Sequence, residues 1–216
     1  MVWAALCVFW MRRKFFNLAN RTSHIFYRLK GVLVYKLLFG QFGSGSIVRR
    51  PLLIHNPQFI HIGDRVLIRD GVRLEALQDK PSRVPMLKIG NDTNIEQNVH
   101  IVCHSRVEIG KEVSITGHCC IVDVTHPYDD VSTSGKVGAR IKDEDSFVTI
   151  GDASFLGFGA VVLPNVHIGK RCVIGALSVV TADVPDYCVA AGSPARVIKQ
   201  YDPTTRAWVS AEGPPR

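Results

Sequence analysis

His126 is well placed to do chemistry in this 216-residue sequence. It ends a run of six-residue repeats and comes directly before a polar stretch, residues 127–147, in which the repeat stops. An imidazole titrates near neutral pH, so a histidine beside a projecting loop has the chemistry of a general base. An ordinary surface histidine is the alternative, and position alone favours neither interpretation. Four further histidines are expected to be solvated or hydrogen-bonded surface side chains: His100, His104, His118 and His167.

Six cysteines are the chain's other reactive side chains: Cys7, Cys103, Cys119, Cys120, Cys172 and Cys188. They form no CxxC pair, and their spacing fits no zinc pattern, so no metal site is expected. The apolar start MVWAALCVFW precedes the first basic residues, the reverse of a secretory signal, so we expect a cytoplasmic protein with free thiols. Cys119 and Cys172 occupy inward positions of the repeat and are expected to pack in the core rather than attack a substrate.

A six-residue period supplies the scaffold that must position these side chains. Aliphatic residues recur every six positions, and a small or β-branched residue follows each of them four positions later. The same pattern also starts at Ile89, at Ile109 and, more weakly, at Ile62. Six residues suit one short strand and a turn, with the first and fifth positions inward and the sixth outward. Three such strands make a coil of about 18 residues, and about five coils would stack into an all-β solenoid with a continuous core. The clearest run of aliphatic positions is Ile150, Leu156, Val162, Ile168, Ile174 and Val180.

The repeat divides the chain into three parts. Residues 60–200 are expected to form the parallel β-helix, residues 1–59 an N-terminal basic helical segment, and residues 201–216 a short C-terminal tail. Residues 127–147 are expected to form an insertion loop thrown out from one corner, and such loops often carry function.

Positive charge is concentrated before the repeat. Residues 1–63 hold nine Lys and Arg but no Asp or Glu. The apolar stretches at residues 1–10 and 31–39 are too short to span a bilayer, and residues 1–40 are expected to form one or two helices, apolar on one side and basic on the other. Such helices could cap the main domain or make a peripheral contact at the inner face of an anionic membrane. No nucleic-acid-binding motif is present, so nucleic acid is not an expected partner.

Three sequence features together resemble the hexapeptide-repeat acyltransferases. They are the hexad run, the Thr125-His126-Pro127 step into a loop, and the closing sequence AAGSPARVIK at residues 190–199. Over about residues 60–200 the chain is similar to galactoside and maltose O-acetyltransferases and to O-acetyltransferases assigned to surface-polysaccharide biosynthesis. The resemblance implies a left-handed parallel β-helix, a homotrimer, and active sites that lie between neighbouring subunits.

The resemblance further implies an acetyl-CoA-dependent O-acetyltransferase that acts on a hydroxyl of a sugar or glycan. His126 matches the family's base, which takes the acceptor's proton in a ternary complex without an acyl-enzyme. Ala182 departs from a lysine of the sugar acetyltransferases, so one phosphate contact would be missing. The positions that match acetyl-CoA contacts of the family are Phe155, Ala160, Ala176, Thr181, Arg196 and Lys199.

The acceptor side departs further from the galactoside-type enzymes. Glu96 and His104 stand where those enzymes carry Asn and Asp, and Asn98 keeps an amide nearby. These three residues are the candidate acceptor contacts, and another small acceptor, such as an amino sugar, serine or a xenobiotic, is the alternative. Two further classes are a non-catalytic β-helix scaffold and a γ-type carbonic anhydrase, which needs three histidines on zinc and is disfavoured by the insertion loop.

Overall fold

The computed structural model describes Lys14, Leu18 and residues 22–129, 131–132 and 134–211. The apolar start at residues 1–10 and Cys7 lie outside the described residues. One helical segment, α1 (residues 22–38), is α-helical over 22–30, a π-helix over Gly31–Tyr35 and α-helical again over Lys36–Leu38. Within the described part of the chain, no helix is long and apolar enough to cross a membrane.

Three mostly parallel sheets form the faces of a triangular coil. Sheet A contains β1 (Gln41–Phe42), β4 (Ile60–Ile62), β7 (Met86–Ile89), β10 (Arg106–Ile109), β13 (Phe147–Ile150) and β16 (Val166–Ile168). Sheet B contains β2 (Ile47–Val48), β5 (Leu67–Ile68), β8 (Asn94–Ile95), β11 (Ser114–Ile115), β14 (Phe155–Leu156), β17 (Val173–Ile174), β19 (Cys188–Gly192), β20 (Ala195–Asp202) and β21 (Ala207–Ser210). Sheet C contains β3 (Leu53–His55), β6 (Arg73–Ala76), β9 (His100–Cys103), β12 (Cys120–Val122), β15 (Val161–Val162) and β18 (Val179–Val180).

The first and fifth positions of each hexad fill the core, as the period predicts. Ile109 of β10 lies in register between Ile89 and Ile150 of the neighbouring strands, so like side chains stack along the axis. All three are at most 2% exposed. The polar fifth-position residue Ser154 is also buried, and its hydroxyl donates to the carbonyl of Gly169 at 2.9 Å, which removes the cost of burying it.

Three corners join the sheets, and they differ in how much chain they hold. Corner 1, from sheet A to sheet B, is closely packed: a Cβ on Gly151 would lie 2.5 Å from the carbonyl carbon of Gly169. Corner 3, from sheet C to sheet A, carries the longer connections, residues 77–85 and 123–146. Corner 2, from sheet B to sheet C, places one residue of each coil after the first in the left-handed region, with φ between +57° and +74°: Gly71, Asn98, His118, Gly159 and Leu177.

The β-helix has six complete coils, one more than the hexad count. The additional coil is the first, β1 to β3, and the sheets therefore begin at Gln41. Its turn from β2 to β3 runs through Arg49-Arg50-Pro51, and Phe42 of β1 stands in register with Ile62, where the later hexads carry an aliphatic residue, so the repeat was not evident there. Tyr35 of α1 and Phe39, which follows α1, pack on Phe42 of β1 and close this end of the core.

The last sheet B strands change direction. β19 continues the parallel stack, whereas β20 pairs antiparallel with β19 and β21 pairs antiparallel with β20. Two short 3-10 helices, Pro57–Phe59 and Val137–Ala139, complete the regular structure, and the second lies within the insertion loop (residues 127–147).

Candidate active site

His126 is an exposed side chain at corner 3, where the chain leaves β12 for the insertion loop. Its Nδ1 lies 2.7 Å from the carbonyl oxygen of Arg140 in the returning arm of that loop. A carbonyl can only accept a hydrogen bond, so Nδ1 carries a proton, and in the neutral ring Nε2 is the nitrogen with the lone pair. The Lys142 N–H donates to the Thr125 carbonyl at 2.9 Å and holds the two arms of the loop together beside the imidazole.

Asp123 forms the base of this loop. Its side chain is fully buried and accepts the backbone N–H groups of His104, Ser105 and Arg106 at 2.5–2.8 Å. Burial raises the pKa of the Asp123 carboxyl, and the three N–H donors act in the opposite direction. The Ser146 hydroxyl donates to the Asp123 carbonyl at 2.5 Å. Asp123 therefore ties the turn below the loop to the point where the loop ends.

His104 lies at the same corner but is only 1% exposed, because residues 77–85 fold over it. Its Nε2 lies 3.2 Å from the Asp79 carboxylate. This position differs from the surface histidine expected from the sequence. His100 is half-buried on sheet C, and burial, followed by the charge of Arg73, lowers its pKa. His118 and His167 are exposed, as predicted.

The remaining acceptor candidates lie at corner 2 rather than corner 3. Glu96 is half-buried and lies 3.4 Å from the Arg69 guanidinium. Asn98 is exposed, and its amide nitrogen lies 3.3 Å from Nε2 of His118, whose ring is 5.1 Å from that of Phe158. A single chain therefore places Glu96 and Asn98 at a different corner from His126 and His104.

The acetyl-CoA candidates are distributed over the last two coils and β20. Phe155 is 41% exposed on sheet B. Ala160 is fully buried and its backbone is already used, since its N–H donates to Gly157 and its carbonyl accepts from Cys120. Ala176 is exposed at corner 2, and Thr181 is exposed where the chain leaves β18 at corner 3.

Arg196 and Lys199 lie on β20, and both are exposed. The Arg196 Nη1 donates to the carbonyl of Ala195 at 2.8 Å. Within the described residues neither cation has a carboxylate partner within ion-pair distance, so both charges are available to an anionic ligand.

Sequence reasoning missed Arg83, which lies in the 77–85 connection and borders a cavity of about 590 Å³ between that connection and the start of β13. Its side chain is 8% exposed and contacts the insertion loop. Neither the hexad period nor a motif marks this position, because the connection lies outside the repeat. A lone arginine in a stretch such as Pro81-Ser82-Arg83 carries no local signal of burial.

The described cysteines are free thiols, as predicted. Cys119 and Cys172 are fully buried in the core, and burial raises the pKa of both thiols. A thiol held protonated in the core is a poor nucleophile, which agrees with the expectation that neither residue attacks a substrate.

Comparison with known proteins agrees with this architecture. The family described as bacterial transferase hexapeptide (six repeats) matches residues 147–182. WbbJ of Escherichia coli (strain K12), provisionally named a lipopolysaccharide biosynthesis O-acetyl transferase, is 31% identical over 76% of this chain and 84% of its own length. The chain belongs to the hexapeptide-repeat family of acetyltransferases. The predicted family and the predicted acyltransferase enzyme are thereby confirmed.

The galactoside O-acetyltransferases match a smaller part of this chain than WbbJ does. The galactoside O-acetyltransferase of Escherichia coli (strain K12) is 35% identical over 54% of this chain, and the chain spans 55% of that protein.

Among solved structures, AntD, an N-acyltransferase from Bacillus cereus in complex with dTDP and 3-hydroxybutyryl-CoA, has a TM-score of 0.65 at 20% identity. The alignment covers 79% of this chain and 87% of the AntD chain.

A maltose O-acetyltransferase from Clostridium difficile 630 has a TM-score of 0.53 at 25% identity, with 83% of both chains covered. The fold is the left-handed parallel β-helix of the hexapeptide-repeat family, as predicted.

Proposed function

We propose that the protein transfers an acetyl group from acetyl-CoA to a hydroxyl of a sugar or glycan, with His126 as general base. The observation that carries this proposal is the hydrogen bond between His126 Nδ1 and the Arg140 carbonyl. That bond fixes the tautomer in which Nε2 can accept a proton, and His126 is exposed beside a projecting loop.

The reaction is a direct transfer in a ternary complex. Nε2 of His126 takes the proton of the acceptor hydroxyl as its oxygen attacks the thioester carbonyl carbon. The tetrahedral intermediate, whose oxyanion needs a donor such as a backbone N–H, then collapses and the C–S bond breaks. The imidazolium returns the proton to the thiolate of CoA, so the base is regenerated and no protein side chain is acetylated.

Acetyl-CoA is proposed to bind along the last coils. The free cations of Arg196 and Lys199 suit its phosphates, and the exposed ring of Phe155 and the corner at Ala176 suit the pantetheine arm. AntD, which shares the fold, was solved with an acyl-CoA. Ala160 contributes less than expected, since both its backbone groups are engaged within the coil.

The acceptor is proposed to be a sugar hydroxyl in glycan or polysaccharide assembly. The names of WbbJ and the galactoside O-acetyltransferases support this class, and Glu96 and Asn98 remain the candidate contacts. An amino sugar is the second candidate, because AntD is an N-acyltransferase. His104 is buried against Asp79, so it can act on an acceptor only by positioning residues 77–85.

The proposed functional unit is a homotrimer. Within one chain, Glu96, Asn98 and Ala176 lie at corner 2, whereas His126 lies at corner 3. A cyclic trimer brings corner 2 of one subunit against corner 3 of the next, which completes three equivalent sites.

The N-terminal helix is proposed to hold the enzyme at the inner face of an anionic membrane. Its inner side packs on β1, but its outer side leaves large apolar residues 54–83% exposed: Ile25, Phe26, Leu29, Val32, Leu33 and Leu37. Exposed Arg28 and Lys36 lie on the same segment, and residues 1–63 contain no acid. An apolar helix face flanked by cations suits an anionic lipid surface.

The test of the proposed chemistry is acetyl-CoA turnover by His126→Ala over a panel of sugars and amino sugars, with mass spectrometry of the acceptors. We expect kcat to fall by about 10²–10⁴-fold, the usual contribution of a general base. His167→Ala is the matched control, because His167 is also exposed but its Nδ1 contacts the Thr149 hydroxyl of sheet A rather than a loop carbonyl. Turnover within a few-fold of wild type for His126→Ala would refute the base role.

A further inference from the structure

Arg83 is a buried cation outside the proposed catalytic group. It lies in the connection between β6 and β7, and its side chain is 8% exposed. A guanidinium buried to this degree is stable only if its donors are paired. The partners of Arg83 therefore show which parts of the molecule it joins.

Arg83 joins three segments at corner 3. Its Nη2 lies 2.6 Å from the Asp143 carboxylate, and its Nη1 lies 3.0 Å from the Asp145 carboxylate, both in the insertion loop. The same Nη1 donates to the Ser105 hydroxyl at 2.9 Å, and Nε lies 3.2 Å from Asp79. One side chain thus connects the 77–85 connection, the turn held by Asp123 and the returning arm of the insertion loop.

The returning arm is the part of the loop that orients His126. Arg140 supplies the carbonyl that accepts from His126 Nδ1, and the Lys142 N–H binds the Thr125 carbonyl. Asp143 and Asp145 follow directly, while the outer part of the loop is open to solvent: Tyr128 is 74% and Val131 96% exposed. The Arg83 contacts therefore anchor the arm within five residues of the carbonyl that sets the His126 tautomer.

We propose that Arg83 is a positioning residue that clamps the insertion loop and so holds the Arg140 carbonyl on His126. This inference rests on the proposed base role of His126. Arginine suits the task because its planar fork can bind two carboxylates and a hydroxyl at once, whereas a lysine ammonium offers a single point of charge. Lys80 also contacts Asp143 but is 40% exposed, so solvent screens its charge and it makes a weaker anchor.

The experiment compares Arg83→Ala and Arg83→Lys with wild type by steady-state kinetics and by 15N NMR of the histidine rings, which distinguishes Nδ1–H from Nε2–H imidazole. For Arg83→Ala we expect kcat to fall about 10–100-fold, the scale of a misplaced catalytic group, with KM for acetyl-CoA unchanged. The His126 signal should lose its Nδ1–H character, and Arg83→Lys should recover only part of both effects.

Arg106→Ala is the matched control. Arg106 borders the same cavity, but its guanidinium is paired with Glu108 at 3.9 Å and forms no ion pair with Asp143 or Asp145. If Arg83→Ala does not fold, the double variant Asp143→Ala with Asp145→Ala removes the same ion pairs by changing the exposed loop carboxylates. This variant should give the same change in the His126 tautomer. Wild-type kcat and an unchanged His126 signal in these variants would overturn the clamp.

Failure of the clamp and failure of the proposed function remain distinguishable. If His126→Ala retains activity, the base role fails whatever Arg83 does. If His126→Ala is inactive while the Arg83 variants match wild type, only the positioning role of Arg83 fails.

Discussion

The Asp123 carboxylate accepts hydrogen bonds from the backbone. Its Oδ1 accepts the His104 N–H and its Oδ2 accepts the Ser105 and Arg106 N–H groups, all in a site closed to water. A carboxylate has two acceptor oxygens, and an amide has only one. An amide at this position would therefore turn its NH₂ group toward at least one buried N–H.

We expect Asp123→Asn to lower the free energy of unfolding by about 1–3 kcal/mol, the cost of one buried unpaired donor. Denaturant titration at a fixed protein concentration measures the change. Asp152→Asn is the control, because Asp152 also caps a turn, at Lys111, but is exposed and should lose no more than about 0.5 kcal/mol. Equal losses in the two variants would contradict the structural role of Asp123.

At the scale of single residues, the sequence predicted His126 as a candidate base but did not predict the roles of Arg83 and Asp123. His126 is marked because the hexad period stops beside it. Arg83 and Asp123 owe their importance to contacts between segments 17 to 62 residues apart, and no local pattern encodes those contacts. The burial of His104 was missed for the same reason, since it depends on how residues 77–85 fold across corner 3.

At the scale of elements, the repeat predicted the strands well because each hexad is both a local pattern and a packing unit. The inward residues Ile89, Ile109 and Ile150 stack as expected. The first coil escaped notice because Phe42 stands in place of an aliphatic residue at the start of its first hexad and the turn after β2 is Arg49-Arg50-Pro51. Tyr35 of α1 and Phe39, which follows α1, supply apolar cover at that end.

The outer face of α1 gives an element-scale prediction. We expect the full chain to sediment with vesicles rich in phosphatidylglycerol but not with phosphatidylcholine vesicles, and half-molar salt should weaken binding. Leu29→Glu with Leu33→Glu should reduce binding at least about 10-fold, because apolar contacts are lost and negative charge is added.

Val209→Glu is the control for vesicle binding. Val209 is 43% exposed on β21, in the last strand pair rather than on α1. Unchanged binding in the Leu29 and Leu33 variant, or equal loss in the control, would leave α1 only its role in covering β1.

At the scale of the whole molecule, the proposed trimer predicts complementation between two inactive chains. His126→Ala removes the base at corner 3, and Ala176→Trp fills the proposed acetyl-CoA path at corner 2. If each site uses corner 3 of one subunit and corner 2 of the next, random trimers from equal amounts should carry about one quarter intact sites. Co-expression with two affinity tags and turnover assays would measure this, and no recovery would show that the two corners do not share a site.

The corners also differ in how much new sequence they could accept. At corner 1 the coils are in contact, so an added side chain at Gly151 already meets the next coil. Corner 3 accommodates both the 77–85 connection and the insertion loop while the register of sheets A and C continues on either side. Exchange of loops at corner 3 could therefore change the acceptor preference while the stacked core is preserved. Loop grafting at this corner is the direct way to re-engineer that preference.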